Sequence, residues 1–595
     1  MASDLADSLA ALISDGSLDF EAEDRVVIAL DFGTTYSGIA YAFSIPGKKA
    51  EVYPIIDWPG LEGRRQPKVP TLVSYDPKDP NKFKWGGQLD WRNDAVQGVK
   101  LLLDPSQQQP IYVPTSNIKN ELKKLPKDPV DVAADFMGAM YSHAISKIET
   151  VHPKEYVRMC QKQFVLSVPA VWSDLAKDRT LRAAKKAGIH PVSLIKEPEA
   201  AALYTLYVQE RALRSGDAFV VCDAGGGTVD LITYEVISME PSLELAEVVP
   251  GKGGMAGSLN LNKRFAELVR NVVGDEQWIE LKKGIGWSKA SNEFDKVIKT
   301  GFNGNLDEEH WIAFPQASLK DDPDENVSGN CWVMTGRQVQ GIFDPVITDI
   351  IRLIDEQVKN ALLKRQGREL KGIFLVGGFG ASQYLKARIE KEIPDIQVIQ
   401  PDDAWAAIVK GAVLSRIPHH ATVRSTQAVR HYGVSAWAPY QGPEDDGRPT
   451  RINPEDGIVR VLRNTWYIFI GEDLKRNHAI RFPFVRTLSV PYSRENLIFY
   501  DDLLTSETKI PPIHPGRDTE TNCTLKSDLT AVDTGLFRPL KGVDGKDYVE
   551  VNYELVLSTD AANMKFSLEL NGKECGSTDA NYERLSGTRK SLTMP

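Results

Sequence analysis

The sequence lacks several features that would point to other classes of protein. Its five cysteines are far apart, odd in number and without metal-ligand spacing, which favours reduced thiols over a disulfide framework. No apolar run approaches the roughly 20 residues that a membrane-spanning helix needs. A basic start followed by an apolar centre, typical of a secretory signal, is also missing. We therefore expect a cytoplasmic or nuclear location.

An excess of positive charge is lacking too. The formal net charge is −10, which argues against nucleic acid and anionic membranes as partners, because both attract positive surfaces. The overall composition is that of an ordinary globular protein. The length of 595 residues exceeds what one hydrophobic core usually holds. The acidic residues 1–24 have only scattered apolar positions, so we expect a flexible tail there.

Two glycine-containing segments follow apolar runs and share one pattern. The first, Asp31–Gly38 (DFGTTYSG), follows Val26–Leu30. The second, Asp223–Asp230 (DAGGGTVD), follows one apolar run and precedes another, Leu231–Val236. A strand, a glycine turn and a returning strand predict a hairpin that embraces phosphate. Two such hairpins about 190 residues apart predict a duplicated, two-lobed nucleotide site.

The remaining patterns predict an α/β protein with a β-rich end. Buried strands such as Phe164–Val168 alternate with amphipathic helices such as Val132–Ile148. The acidic segment Asn303–Asn330 is predicted to be an irregular insertion or exposed loop. From Ala421 onward, short alternating runs predict separate strands, among them Val459–Leu462 and Thr465–Ile470.

The two glycine segments contain the groups that a magnesium-bound triphosphate requires. Backbone N–H groups and hydroxyls around Gly33, Thr34 and Thr35 could hold the β and γ phosphates from one side, and Gly226, Gly227 and Thr228 from the other. Asp31 and Asp223 would orient Mg²⁺ through its waters, because Mg²⁺ gives up its hydration shell reluctantly. Asp230 is assigned only a supporting role.

Hydrolysis needs a further carboxylate near the attacking water, and Glu197 at a strand-to-helix junction is the candidate. Each motif alone has a plainer explanation. The first loop could be an ordinary turn, Gly377-Gly378 a tight strand-to-helix turn, and Glu197 a solvated acid that favours the helix dipole. The order in which the motifs occur favours the functional interpretation.

That order, over about 390 residues from Arg25 to Ile417, resembles the superfamily of sugar kinases, actin and 70 kDa heat-shock ATPases. Leu30–Ser37 (LDFGTTYS), Lys196–Ala202 (KEPEAAA) and Asp223–Thr228 (DAGGGT) are similar to heat-shock chaperone motifs nearly residue for residue. Gly253–Ser258 (GGMAGS) looks like the divergent heat shock 70 kDa protein 12 branch.

The resemblance implies two lobes of ribonuclease-H-like fold that bind ATP and Mg²⁺ between them, slow ATP hydrolysis, and clients such as unfolded peptides together with co-chaperones. Asp31 and Asp223 match the metal-orienting acids, and Glu197 matches the glutamate near the hydrolytic water. Lys100 matches the first-lobe lysine on the γ phosphate, and Lys296 is matched to an adenine or ribose contact. The matched phosphate contacts are Gly33, Thr34, Thr35, Tyr36, Gly225, Gly226, Gly227 and Thr228; Gly253 and Gly254 match the second-lobe glycine pair, and Gly377, Gly378, Phe379 and Gly380 the adenosine motif.

The chain departs from the family pattern in several places. Ala381 stands where main-line chaperones have an arginine that stacks on adenine. The sequence at 418–424 replaces the acidic, leucine-containing linker, and we expect no helical lid or acidic tail after the β-rich segment.

The expected domains are an ATPase domain at 25–418 and a β-rich, sandwich-like, substrate-binding domain at 419–595. Within the first we place lobe I at about 25–215, lobe II at about 216–400 and a returning helix at 402–417. The leading function is an ATP-dependent chaperone. The alternatives are an ATP-binding scaffold with little turnover, a small-molecule kinase on the same fold and, more remotely, an actin-like polymer.

Overall fold

A computed structural model describes residues 24–582, except for 46–49, 90–94, 105–124, 210–213, 240–241, 418–420, 477–478, 560–561, 563 and 576. The predicted acidic tail therefore lies outside the described residues except for Asp24, and so does the end of the chain after residue 582. The described chain is a mixed α/β protein with several sheets.

The first large sheet has six strands in the order β3-β2-β1-β8-β9, with β4 pairing with β2. Its strands are β1 (Arg25–Asp31), β2 (Tyr36–Ser44), β3 (Tyr53–Pro54), β4 (Val69–Pro70), β8 (Gln161–Val168) and β9 (Val192–Lys196). Both faces of β1 are covered, because Val26 and Ile28 belong to one hydrophobic cluster and Val27 and Ala29 to another. This double burial explains the continuous apolar run before the first glycine loop.

The second large sheet has seven strands in the order β17-β16-β10-β11-β12-β18-β22. Its strands are β10 (Ala218–Ala224), β11 (Val229–Ser238), β12 (Leu243–Gly254), β16 (Gly372–Val376), β17 (Val398–Ile399), β18 (Ala421–Gln427) and β22 (Asp473–Lys475). β10 is antiparallel to β11 and parallel to β16, just as β1 is antiparallel to β2 and parallel to β8. The order β12-β11-β10-β16-β17 thus repeats β3-β2-β1-β8-β9.

The helices cover both sheets. They are α1 (Val99–Leu102), α2 (Pro129–Val151), α3 (Lys154–Met159), α4 (Asp174–Lys186), α5 (Glu197–Gln209), α6 (Leu259–Leu281), α7 (Ile285–Glu293), α8 (Lys299–Gly301), α9 (Gly336–Lys364), α10 (Gln383–Glu392) and α11 (Ala407–Leu414), with a π-helix at Phe294–Ile298 between α7 and α8. α5 and α11 lie between the two sheets, since their buried residues share one cluster with Val27 of the first sheet and Val221 of the second. They pack very closely: a Cβ on Gly411 would lie 2.5 Å from the carbonyl carbon of Ala200. None of the helices within the described ranges is long and apolar enough to cross a membrane.

Two small sheets lie outside this framework. One contains β5 (Leu72–Asp76), β6 (Asp79–Trp85) and β7 (Val96–Gln97), and the other contains β13 (Glu309–Ala313), β14 (Val327–Ser328) and β15 (Cys331–Thr335). The second corrects the prediction of an irregular loop over Asn303–Asn330. Ile312, Phe314 and Val327 are buried within that segment, so alternating apolar side chains among the acids anchor it to the core.

The C-terminal part contains two further sheets. One has the order β20-β21-β19-β24-β25-β30, from β19 (His431–Pro439), β20 (Thr450–Ile452), β21 (Val459–Ile468), β24 (Ile498–Ser506), β25 (Glu520–Asp528) and β30 (Ser577–Asn581). The other has the order β23-β27-β28-β29, with β26 pairing with β27, from β23 (Ala479–Ser489), β26 (Arg538–Lys541), β27 (Asp547–Thr559), β28 (Met564–Leu570) and β29 (Lys573–Glu574). Both contribute to one hydrophobic cluster, for example through Leu503 and Leu555. The runs Val459–Leu462 and Thr465–Ile470, predicted as separate strands, are joined in β21 up to Ile468.

The expected boundary at residue 418 does not coincide with a sheet boundary. β18 pairs in parallel with β12, and β22 pairs with β18, so strands beyond the boundary extend the second large sheet. Side-chain contacts add to this connection. Tyr432 Oη donates a 3.1 Å hydrogen bond to Asp174 Oδ2 on α4, and Arg476 forms an ion pair with Glu199 on α5.

Candidate nucleotide site

The two glycine loops predicted from the sequence lie against each other. A Cβ on Gly226 would stand 2.6 Å from Thr35 Cγ2, and one on Gly227 would stand 2.6 Å from Thr34 Oγ1. Both distances are shorter than real Cβ contacts, so any larger residue at these positions would displace Thr35 or Thr34. The loop after β1 and the turn after β10 therefore bring two threonine hydroxyls and a glycine backbone to one place.

The first threonine loop is fixed by its own hydrogen bonds. Gly33 N donates to Ser37 Oγ at 3.1 Å, and the hydroxyls of Ser37 and Thr71 are 2.8 Å apart. Thr71 N also donates to Thr35 O at 2.8 Å. The loop is therefore held to the segment after β4 and does not depend on a ligand for its shape.

The triple-glycine turn is anchored by the start of α6. The N–H groups of Gly257, Ser258 and Leu259 donate to the carbonyls of Gly227, Gly225 and Gly226 at 3.2, 3.1 and 2.8 Å, respectively. With all three carbonyls occupied in this way, the peptide N–H side of the turn remains the side suited to phosphate.

Asp31 at the end of β1 is buried and already has a cation. Lys68 Nζ lies 2.5 Å from Asp31 Oδ2, and Ser167 Oγ donates to Asp31 Oδ1 at 2.8 Å. Burial alone would raise the pKa of Asp31, but the charges of Lys68 and Lys100 outweigh burial and lower it. Asp31 is thus ionised, with both of its oxygens occupied by side-chain hydrogen bonds.

Lys100 and Glu197 form the second buried ion pair of the site. Lys100 Nζ lies 2.5 Å from Glu197 Oε1, and both side chains are at most 7% exposed. Lys100 Nζ also lies 5.5 Å from the centre of the Trp172 ring. Burial, helped by the charges of Asp31 and Asp230 and opposed by that of Lys100, raises the pKa of Glu197 to about 7. A carboxyl that changes protonation near neutral pH suits a general base.

Asp223 and Asp230 face each other across the β10–β11 hairpin, where they are register partners. Burial, followed by the charges of neighbouring carboxylates, raises the pKa of Asp223 well above its usual value, and burial also raises that of Asp230. Asp223 Oδ1 and Asp230 Oδ2 are buried without a hydrogen-bond partner. Such orphaned oxygens are costly to maintain and point to a ligand that the site is built to take.

These acids fit a magnesium ion held through water. Within the described residues, no three His, Cys, Asp or Glu side chains come close enough to hold a bare metal ion. Two unpartnered carboxylate oxygens next to a phosphate cradle suit a hydrated Mg²⁺, which retains most of its waters in proteins. The fit favours Asp223 with Asp230, because the oxygens of Asp31 are occupied by Lys68 and Ser167.

The Gly377–Gly380 turn lies beside the end of β10. Phe379 N and Gly380 N donate to Ala224 O at 2.8 and 3.0 Å. Gly377 has φ +89°, and a Cβ there would stand 2.5 Å from Ala224 O. The predicted adenosine turn therefore directly adjoins the triple-glycine turn.

The remaining predicted residues are divided between the site and its surroundings. Gly253 and Gly254 end β12 opposite Asp230 and Val229, so they lie beside the triple-glycine turn. Lys296 is exposed on the π-helix. Burial raises the pKa of the Tyr36 hydroxyl, and the nearby negative charge of Asp295, the neighbour of Lys296, raises it further. The π-helix thus lies on the Tyr36 side of the site.

Comparisons with known proteins agree with this geometry. A family model described as a domain of unknown function (DUF8340) matches residues 213–400. Heat shock 70 kDa protein 12A of Homo sapiens is 24% identical over 565 residues, which cover 78% of this chain and 81% of the relative. Heat shock 70 kDa protein 12B of Homo sapiens is 24% identical over 563 residues, or 77% and 79% of the two chains. A chaperone protein HscA homolog of Rickettsia rickettsii (strain Sheila Smith) is 27% identical over 410 residues, 67% of this chain and 57% of the relative.

Over most of its length the chain is similar to a divergent, protein 12-like branch of the 70 kDa heat-shock proteins. The resemblance predicted from the three motifs is thereby confirmed. This similarity implies an actin-like ATPase fold for the α/β part and supports a nucleotide-binding protein of the heat-shock 70 type. Ala381, which stands in place of a family arginine, is an exposed residue just before the N-cap Ser382 of α10.

Sequence reasoning missed or underrated three residues of the candidate site. Lys68 lies in a segment without a recognisable motif, and only the fold brings it to Asp31. Asp230 was given a minor role, although it pairs directly across the hairpin with Asp223. A hairpin with one acid on each strand, next to the turn, is the pattern that would have identified Asp230. Trp405 also lies at the site, next to Tyr36 and Gly378.

Proposed function

We propose that this protein binds ATP with Mg²⁺ between two lobes built on the repeated sheets, hydrolyses it slowly, and uses the nucleotide to bias its conformation. The observation that carries the proposal is the contact between the two glycine–threonine loops, with buried acids and lysines around it. In this proposal lobe I carries the first six-stranded sheet and lobe II the seven-stranded sheet.

Different residues of the chain would bind the phosphates and the hydrated magnesium ion. The backbone of Gly226 and Gly227 and the hydroxyls of Thr34, Thr35 and Thr228 bind the phosphates. Asp223 and Asp230 hold the waters of Mg²⁺, which offsets phosphate charge when bound.

The ammonium of Lys100 could pair with either of two groups, the Glu197 carboxylate or the γ phosphate. This ammonium donates to Glu197 Oε1 in this structure. The γ phosphate would attract this ammonium and leave Glu197 free to accept a proton from the attacking water. The water oxygen then forms a bond to the γ phosphorus while the bond to the bridging oxygen of ADP breaks.

The C-terminal part is proposed to bind extended peptides of client proteins. Two sheets on one hydrophobic cluster support a sandwich-like module. The contacts of Tyr432 with Asp174 and of Arg476 with Glu199 give it a route to helices of the ATPase part. A peptide-binding assay with ATP and with ADP would test whether nucleotide alters client affinity.

The main test measures thermal unfolding and single-turnover phosphate release. At 100 times its dissociation constant, ATP with Mg²⁺ should add about 2.7 kcal/mol to the free energy of unfolding. Asp223→Asn should lose most of this stabilisation, and Glu197→Gln should retain it while phosphate release falls by about 100-fold or more. Glu356→Gln, which alters half-exposed surface ion pairs with Lys252 and Arg352, is the matched control.

Unchanged melting of the wild type at millimolar ATP would refute the proposal. A second candidate is an ATP-binding scaffold with little turnover, favoured by the direct pairing of Lys100 with Glu197, which occupies the candidate base. ATP-induced stabilisation together with phosphate release no faster in the wild type than in Glu197→Gln would support this scaffold.

A further inference from the structure

Trp405 is a large aromatic residue that has no place in the hydrophobic core. Its neighbours Ala404 and Ala406 are buried, whereas Trp405 is partly exposed. The described residues form four hydrophobic clusters, and Trp405 belongs to none of them. A tryptophan held outside the core by a buried backbone has its indole available for another contact.

The surroundings of Trp405 place it at the mouth of the nucleotide site. Its ring centre lies 5.2 Å from that of Tyr36, edge to face at 76°. On its other side, a Cβ on Gly378 would lie 3.8 Å from Trp405 Nε1, and Gly378 itself is exposed. The indole therefore lies between Tyr36, which follows Thr34 and Thr35, and the Gly377–Gly380 turn after β16.

The backbone under Trp405 is rigid. Ala404 N and Ala406 N donate to Pro401 O and Asp403 O at 3.1 and 2.8 Å. α11 begins at Ala407 and packs tightly on α5 between the two large sheets. A flat ring on such a support keeps its orientation without a ligand, which lowers the entropic cost of stacking a planar group on it.

Two adjacent residues of the chain contact the phosphate cradle and the Trp405 ring. Thr35 touches Gly226 in the cradle, and Tyr36, the next residue, touches Trp405. The Gly377–Gly380 turn, which adjoins the cradle at Ala224, borders the ring from the other side. A nucleotide with its phosphates in the cradle would extend its base toward this aromatic corner.

We propose that Trp405 is the surface on which the purine base stacks, and that it replaces the arginine that is absent at Ala381. This inference rests on the proposed ATP site and adds the residue that binds the base. An indole has one N–H donor and a large π face, so it contributes stacking more than hydrogen-bonded selection among bases.

The test compares ATP with inorganic tripolyphosphate, which lacks the base, by calorimetry on the full chain with Mg²⁺. Stacking of a base on an aromatic ring is worth about 1–3 kcal/mol. Trp405→Ala should therefore weaken ATP binding about 5- to 150-fold and change tripolyphosphate binding less than about 2-fold. Trp405→Phe, which keeps a ring, should bind ATP within about 5-fold of the wild type.

Trp405→Leu guards against a folding defect, because it keeps apolar bulk without a ring and should lose ATP affinity as the alanine variant does. Trp311→Ala, at an exposed tryptophan of β13, is the matched control. Unchanged ATP affinity in Trp405→Ala and Trp405→Leu would overturn the inference, and so would equal losses for ATP and tripolyphosphate. A wild type that binds neither ligand would refute the proposed ATP site as well.

Discussion

Replacing Gly257 by alanine should damage the nucleotide site without changing a charge or a side chain that touches nucleotide. A Cβ at this position would lie 2.5 Å from the carbonyl carbon of Gly226, whereas ordinary contacts begin at 3.4 Å. The turn or the start of α6 must therefore move by about 1 Å. The obstacle is backbone and not the end of a flexible side chain, so no rotamer change relieves it.

The movement pulls apart the hydrogen bonds by which α6 anchors the turn. Three such bonds join Gly257, Ser258 and Leu259 to the glycine carbonyls. At about 0.5–1.5 kcal/mol each, losing all three would lower the free energy of unfolding by about 1.5–4.5 kcal/mol. A phosphate cradle displaced by about 1 Å should also slow turnover about 100-fold.

Urea unfolding followed by fluorescence measures the first effect, and single-turnover phosphate release measures the second. Gly341→Ala is the matched control, because nothing lies within 4 Å of a Cβ there and the position is an exposed one in α9. That variant should gain about 0.5–1 kcal/mol. A Gly257→Ala protein with wild-type stability and wild-type phosphate release would refute the packing of α6 against the glycine turn.

Three further predictions follow from buried groups. Between about pH 4.5 and pH 7, folded Glu197 keeps a proton that the unfolded chain has released, so stability without nucleotide falls as pH rises through this window. Glu197→Gln should remove up to about 3 kcal/mol of that fall, measured as unfolding free energy against pH. Tyr432→Phe removes the donor to Oδ2 of buried Asp174, whose Oδ1 keeps Lys177, and should cost about 1–3 kcal/mol in urea unfolding. Gly411→Ala drives a Cβ into the carbonyl of Ala200 and should lower the melting temperature by several degrees.

The two side-chain variants each have a control. Glu356→Gln should leave the profile between about pH 4.5 and pH 7 unchanged, because the hydrogen bond from Lys252 lowers the pKa of this half-exposed carboxylate, which is therefore ionised in that window. Tyr500→Phe removes the hydroxyl of an exposed tyrosine and should unfold like the wild type. A Glu197→Gln profile that falls as steeply as the wild-type profile would contradict the buried, protonated state of Glu197.

Local sequence patterns predicted the hairpins well because a hairpin is decided within a short stretch. The runs before and after Gly225–Gly227 are β10 and β11. Glu197 was recognised because its motif places it where β9 meets α5.

Long-range pairings were beyond the reach of such patterns. Lys68 and Asp31 are separated by 37 residues, and neither the spacing nor the neighbouring residues indicate that they pair. The acidic composition of Asn303–Asn330 concealed the apolar positions Ile312 and Phe314, because overall polarity outweighed an alternation of a few residues. Both features escaped prediction for one reason. The residues that each segment contacts lie on other elements of the chain, and a local pattern does not show them.

The pairing of β18 and β22 with the second large sheet determines where this chain can be cut. A fragment that ends at residue 418 would expose the edge of β12, whose residues Leu243–Ala246 pair with β18 in the whole chain. An unpaired edge of this kind invites association with other strands, so such a fragment would tend to aggregate. Nucleotide binding measured on it would then report a damaged sheet. The smallest piece that keeps the sheet whole must extend to Lys475, inside what the sequence presents as the second domain.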